Sequence, residues 1–305
     1  MDRGARVDAS ANRSSNGDPR FTTFGGLGGN DQGEEKTMIF AGIDAGSRAI
    51  KAVLWDRDGQ AVLAAGTVDQ GLDQERLARE LFERLLAQAR LEEKQIAGIV
   101  ATGYGRQLIR FANRTITEIS CHACGVRHVA PEARTVIEIG GQDSKLIRLD
   151  GAGNVRDFAM NDRCAAGTGR FLEVVAVRLG MSLPALGELA QQSRAPAAIS
   201  SMCVVFAETE IIGLLANGAS PADIIAGVQA SVASRMLALA GQRVEAPVFF
   251  TGGVALIPGM ASALEKALGC SVSQVAEPLL TGALGAAILA ARVSVASSPR
   301  ASDLV

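Results

Sequence analysis

The sequence predicts an α/β fold of two related lobes that face one another across a cleft. Two observations carry this. A β-hairpin closed over a glycine turn occurs twice, in "IFAGIDAGSRAIKAVLWDRDG" and in "TVIEIGGQDSKLIRLDG", each followed by a "DG" turn. Between and after the hairpins, strand-like apolar runs alternate with helical periodicity, the pattern of layered α/β domains. Composition agrees: 48 % of residues are hydrophobic but only 4 % aromatic, so the core is aliphatic. A chain of 305 residues suits one large or two moderate domains.

The elements follow in order. Residues 1–37 are rich in Gly, Ser, Asn, Asp and Arg without periodicity and are expected to be a disordered tail, with Met38 a candidate natural start. The first lobe is expected over 38–133. Its opening strand runs to Asp44, turns through Gly46 and Ser47 and returns to Trp55. Leu77, Leu81 and Leu85, with Phe82, Leu86 and Ala89, recur at helical spacing. "IAGIVATGYGRQLI" reads as a buried strand, a glycine turn and a helix start. The second lobe, expected over 134–278, reopens with a strand, a glycine turn carrying Asp143 and Lys145, and a return strand. Asp44, Gly46, Ser47 and Lys51 are thereby matched with Gly140, Gly141, Asp143 and Lys145 as an internal duplication. "AAGTGRFLEVVAVRLG" and "CVVFAETEIIGLLANG" read as helices. The uncharged run from Ala246 to Leu264 is long enough for a membrane span, but Pro247, Gly252, Gly253, Pro258 and Gly259 break it into strand, loop and helix start. A final helix over 279–293 is expected to pack back on the first lobe.

The hairpins point to phosphate chemistry. No P-loop or Rossmann fingerprint occurs, yet tight Gly- and Ser-rich turns expose consecutive backbone N–H groups that cradle phosphate oxygens. Asp44 and Asp143 add two carboxylates, which suits a hydrated Mg²⁺. The turn at Gly252 and Gly253 follows a buried strand and leaves room for a flat ligand such as a purine base.

The cysteines point to a metal or to catalysis. Five cysteines, an odd number, with no apolar leader at the start of the chain, argue against a disulfide framework and for a reducing cytoplasm. Cys164 and Cys203 each precede a helical pattern, with Ser200 and Ser201 as N-cap candidates for the second. Helix N-termini favour a thiolate or a reduced, negatively charged cluster. A 4Fe–4S cluster needs four thiolates. A twofold dimer would supply them from two cysteines per chain. The rival is a single-chain site that adds Cys121 and Cys124 of "CHAC", or a Zn²⁺ site built on that pair with His128. Cys270 reads as a buried apolar residue. The net charge of −2 and the lack of a basic stripe argue against nucleic acid as a partner.

Taken together, "GIDAGSRAIK", "ATGYGR", "ISCHA", "IGGQD", "MNDRCAAGTGRFLE", "ISSMCVVFAETE", "IIAGVQASVASR" and "TGGVA" resemble, in this order, the ATP-dependent activators of 2-hydroxyacyl-CoA dehydratases. The same family includes the ATP-hydrolysing subunits of benzoyl-CoA reductase, and the resemblance spans residues 38 to 292. It implies the two-lobed fold shared by actin, sugar kinases and heat-shock chaperones. It also implies a cytoplasmic homodimer with one 4Fe–4S cluster between subunits, held by Cys164 and Cys203 of each. Cys124 departs from the family pattern, which shares only the preceding Cys-His-Ala. ATP or ADP with Mg²⁺ would be held by Gly46, Ser47, Arg48 and Lys51, by Gly140, Gly141 and Gln142, and by Gly252 and Gly253. Asp44 and Asp143 would orient Mg²⁺ and the attacking water, and the Gly167, Thr168 and Gly169 turn would couple nucleotide to cluster. The implied partners are a ferredoxin- or flavodoxin-type donor upstream and an iron–sulfur CoA-thioester dehydratase or reductase downstream, with no membrane. Against this stand a small-molecule kinase of the same fold, with Cys164 and Cys203 as spectators, and a nucleotide-gated scaffold.

Overall fold

The computed structural model describes residues 21–23, 37–200, 203–241 and 244–296. Other than the short strand at 21–23, the amino-terminal segment expected to be disordered lies outside the described residues up to residue 36. That strand, β1 (Phe21–Thr23), pairs at a sheet edge with β4 (Ala61–Asp69). β2 (Ile39–Ala45) is buried along its whole length, and with β3 (Ala49–Asp56) and β4 it forms an antiparallel meander. A strand buried on both faces must be covered on both sides. On one side α1 (Gln74–Ala89) lays Leu81, Phe82 and Leu85 against it. β5 (Ile96–Thr102) then returns parallel to β2, and the two-residue β6 (Arg114–Thr115) follows parallel to β5.

α2 (Glu118–Val129) leads into the second sheet, which contains β7 (Thr135–Ile139), β8 (Ser144–Leu149) and β9 (Val155–Asn161). Four helices intervene: α3 (Gly169–Leu179), α4 (Leu183–Ala190), α5 (Val204–Ala216) and α6 (Pro221–Ala240). β10 (Val248–Thr251), α7 (Met260–Leu268), β11 (Val272–Gln274) and α8 (Thr281–Ala296) complete the described chain. α6 is long and apolar enough to cross a membrane by length and composition, but more than half of its apolar window is packed inside the second core.

The strand order β4-β3-β2-β5-β6 of the first sheet is repeated as β9-β8-β7-β10-β11 in the second. The duplication therefore extends past the hairpin to five strands and the helix that follows each set, α2 and α8. These two helices pack on one another, and α8 also covers β2 and β5. Their crossing is unusually close. A Cβ on Gly125 would fall on the carbonyl oxygen of Thr281, and one on Gly285 would fall on that of Cys121. Each glycine thus sits against the residue four positions before the other, as a local twofold requires. Alanine raises helix propensity by up to about 1 kcal/mol over glycine. At Gly285 the clash reverses that sign. Gly285→Ala is expected to destabilise by about 1–3 kcal/mol, read as a fall of several degrees in melting temperature; a rise would show that the helices can part without cost.

One expectation is corrected here, and one helix is added. "ATGYGR" leads into one 3₁₀ turn, Arg106–Leu108, rather than a helix, because the chain turns at once into β6. The helix α2, unrecognised in the sequence, carries Cys121 and Cys124.

Candidate functional site

Both glycine turns open on a single cavity of about 790 Å³ between the sheets, a size within the range of small-molecule sites. Asp44, Gly46, Ser47, Arg48 and Lys51 line it from the first hairpin, and Gly140, Gly141, Gln142 and Asp143 from the second. Gly169, Gly252 and Gly253 complete the set, while Gly167 and Thr168 are buried behind it and do not line the cavity. The hairpin tips meet: a Cβ on Gly141 would lie 3.0 Å from that of Arg48. Arg48 also reaches across to Glu173 of α3 at 3.0 Å.

The register corrects the matching of residues between hairpins. Asp44 stands opposite Lys51, and Glu138 stands opposite Lys145. The counterpart of Asp44 is therefore Glu138, buried on its strand, while Asp143 lies in the second turn. Glu138 is hidden in the sequence as a lone charge in an apolar run. The signal that finds it is an acidic residue two places before the first turn glycine, with a lysine on the return strand. The parallel strands repeat as well. Thr102 pairs with Asp44 and Thr251 with Glu138, and each threonine precedes a glycine with φ of +89°, Gly103 and Gly252. A Cβ on Gly252 would lie 2.6 Å from Glu138 Oε1, so only glycine lets the chain pass over the carboxylate there.

The two halves differ in charge. Asp44 and Lys51 form a pair at 2.9 Å. Lys145, 1 % exposed, contacts Asp143 at 2.7 Å, Glu138 at 2.8 Å and Glu118 at 3.1 Å. Burial, the largest influence, would raise the Asp44 pKa, but Lys51, His122 and Lys145 together hold it below the ordinary value. Burial keeps Glu138 and Glu118 above theirs despite Lys145. For Lys145, burial would lower the pKa, but Glu138 and Asp143 reverse the sign. One cation among three carboxylates leaves negative charge at the cavity wall, into which a phosphate chain enters best with a divalent cation. Among the described residues no group of three His, Cys, Asp or Glu side chains surrounds one metal position. A cation here would take further ligands from phosphate and water, as Mg²⁺ does.

The cavity also includes His122 of α2. Burial pushes its pKa down to about 4, so the ring is neutral, and Nδ1 lies 3.0 Å from the Thr281 hydroxyl. Within "CHAC" this histidine is overshadowed by the cysteines beside it.

Cys164 and Cys203 are exposed, outside the cavity and in no disulfide. Cys203 caps α5 directly. Ser200 instead donates its N–H and hydroxyl to Glu210 Oε1, and Ser201 lies outside the described residues. Cys164 caps a 3₁₀ turn, Ala165–Gly167, and α3 is capped by Thr168. The Asn161 amide fixes the Cys164 backbone from both sides, donating to its carbonyl at 2.8 Å and accepting from its N–H at 3.0 Å. The first N–H groups of α3 are not free for an anion, contrary to the expectation from the sequence. Gly169 N–H donates to Gly140 O and Arg170 N–H to Gly141 O, both at 2.9 Å. The turn thus joins the second phosphate hairpin to the Cys164 segment through backbone hydrogen bonds.

Among the described residues, Cys121 and Cys124 join no third His, Cys, Asp or Glu side chain at one metal position. Cys121 is fully buried and burial pushes its thiol up to about 12; burial also raises Cys124. Cys270 packs partly buried against the second core.

Comparison with known proteins places this geometry. The chain is 46 % identical over 254 residues to the activator of lactoyl-CoA dehydratase of Anaerotignum propionicum, covering 83 % of this chain and 97 % of that one. It is 34 % identical over 236 residues to one of the subunits of the benzoyl-CoA reductase of Thauera aromatica, covering 75 % and 83 %. The activator of the 2-hydroxyisocaproyl-CoA dehydratase from Clostridium difficile, solved with bound ADPNP, superposes with a TM-score of 0.80 at 39 % identity, over 85 % of this chain and 97 % of that one. The two-lobed plan is that of the actin-like ATPases. With residues 41–290 matched, the chain belongs to the BadF/BadG/BcrA/BcrD ATPase family.

Proposed function

We propose that this ATPase delivers single low-potential electrons to a partner iron–sulfur CoA-thioester dehydratase. A benzoyl-CoA-type reductase is the second reading, disfavoured by the lower identity to that branch. Two copies hold one 4Fe–4S cluster through Cys164 and Cys203 of each, and a ferredoxin- or flavodoxin-type donor reduces it in the cytoplasm. Residues 38–133 with α8 form one lobe and 134–278 the other. The donor set supports this reading: two exposed thiols per chain are half of what the cluster requires. Val205 and Phe206, 67 % and 69 % exposed beside Cys203, form an apolar rim suited to cover by a second copy.

When bound, Mg²⁺ supplies charge neutralisation and the cluster a one-electron carrier. The chain does the rest. The turns at 46–48 and 140–143 direct N–H groups at the phosphates, and Asp44 and Asp143 orient the water and ligands about them. Loss of the γ-phosphate changes what the second turn contacts. The Gly140 and Gly141 carbonyls pass that change to Gly169 and Arg170, five and six residues beyond Cys164.

This link is the observation that carries the reading, and it has a direct test. The reduced protein's EPR spectrum and reduction potential are measured without nucleotide, with ADP and with a non-hydrolysable ATP analogue. The analogue is expected to shift both and ADP to shift them less, since a ligand acts only through differential contacts. Identical values in all three, with binding confirmed separately, would overturn the coupling.

A further inference from the structure

The α2–α8 crossing is symmetric in its glycines but not in what it presents to the cleft. By the local twofold, Cys121 corresponds to Thr281 and Gly125 to Gly285, so His122 corresponds to Gly282. One half places an imidazole at the cavity, and the other places a glycine close beneath that imidazole and Asp44.

The hydrogen-bond chain behind His122 fixes which of its nitrogens holds the proton. The Pro278 carbonyl can only accept, so the Thr251 hydroxyl, 2.8 Å away, gives it its single proton. The Thr281 hydroxyl, 2.7 Å from Thr251 Oγ1, must then donate to Thr251. The Thr281 oxygen is left to accept, and His122 Nδ1 at 3.0 Å must be the donor. Nε2 therefore carries a lone pair and has no hydrogen-bond partner among the described residues.

Nε2 lies close to a carboxylate. A Cβ built on Gly282 would lie 3.0 Å from Asp44 Oδ2 and 3.2 Å from His122 Nε2, so both acceptors converge over the glycine. Lys51 donates to the same Asp44 oxygen, which can accept a second bond, but nothing in the described chain donates to Nε2. Two acceptors at one wall of a cavity call for a donor with two protons.

We propose that His122 Nε2 and Asp44 together hold the water that attacks the γ-phosphorus in ATP hydrolysis. Its two O–H groups point at the imidazole and the carboxylate, which turns an oxygen lone pair toward phosphorus. The new P–O bond forms as the bond from γ-phosphorus to the bridging oxygen of ADP breaks. One water proton remains on inorganic phosphate, the other is released to solvent, and the imidazole ends unchanged. Thr251 and Thr281 act at one remove, by holding the tautomer.

The proposal rests on the assignment of the cleft to ATP, so wild-type hydrolysis and binding of a non-hydrolysable ATP analogue are measured alongside each variant. His122→Asn keeps an N–H toward Thr281 and lacks the acceptor at the Nε2 position. It is expected to lower kcat about 100-fold while affinity for the analogue and the visible spectrum of the holoprotein stay unchanged. His122→Gln, whose longer amide can place an oxygen near the Nε2 position, is expected to recover at least about tenfold of that loss. Unchanged kcat in His122→Asn would overturn the proposal, as would a parallel loss of kcat and affinity in both variants, the mark of a packing role. Should the asparagine variant not fold, Gly282→Ala crowds Nε2 and Asp44 Oδ2 without removing a hydrogen bond. It must lower kcat without weakening analogue binding, and full activity there would overturn the proposal equally. An inactive wild type that still binds the analogue would instead sink the assignment of the cleft to hydrolysis.

Discussion

Replacing either Cys164 or Cys203 with serine is expected to remove nearly all iron and the visible charge-transfer absorption from protein purified without oxygen. Wild type should carry about four irons per dimer. In the proposed shared site each chain would contribute half of the thiolates, so loss of one cysteine type would remove two of four ligands at once. Cys121→Ser is expected to keep the cluster, because that thiol lies in the α2–α8 core and is protonated at neutral pH. Its cost should appear in stability. A cluster lost with Cys121 and kept without Cys203 would reverse the assignment, and iron that scales with monomer rather than dimer would exclude a shared site.

Asp44→Asn and Asp143→Asn are each expected to lower ATP hydrolysis by about 100-fold or more while iron content is unchanged. Asparagine keeps the shape but removes the charge, so the change reads electrostatics rather than packing. The two variants should differ in Mg²⁺ dependence. Asp44 is paired with a single lysine in a buried position, and its loss leaves Lys51 without its carboxylate. Asp143 shares Lys145 with Glu138 and Glu118, so the network retains two carboxylates and its variant should bind Mg-nucleotide more nearly as wild type does. Glu138→Gln tests the register directly. As the true counterpart of Asp44 it should impair hydrolysis, whereas a surface strand residue would not. Wild-type turnover in both aspartate variants would remove the basis for a two-hairpin phosphate site.

The parts of this protein that were legible in its sequence are those set by neighbours along the chain. Alternation of apolar runs, glycine turns and helical spacing placed the two hairpins, α1 and the helices after Cys164 and Cys203, since each is decided within about a dozen residues. The repeated glycine turn disclosed two lobes, and the cysteine motifs disclosed the candidate ligands. The strand at 248–251 also follows from local pattern. The helices α2, α4 and α6 were not read there; in α2 the short polar start and the two cysteines disguise the apolar face that α8 covers.

What tertiary structure alone decided depends on residues far apart meeting. Strand pairing made Glu138 the counterpart of Asp44: the two turns are equal in length, and Asp143 lies within the second one, outside the ladder. Burial separated two kinds of cysteine that are chemically alike: Cys121 vanished under α8 while Cys164 and Cys203 stayed at the surface. His122 became a site residue only through Thr281, 159 positions away, which fixes its tautomer. The N–H groups expected to hold an anion at α3 went instead to Gly140 and Gly141, and so tied the phosphate turn to the cysteine segment. A sequence sets which residues have hydrogen-bonding and ionisable groups. Dielectric, hydrogen-bond partner and charge environment arise only when the chain closes on itself, and these determine what each group does.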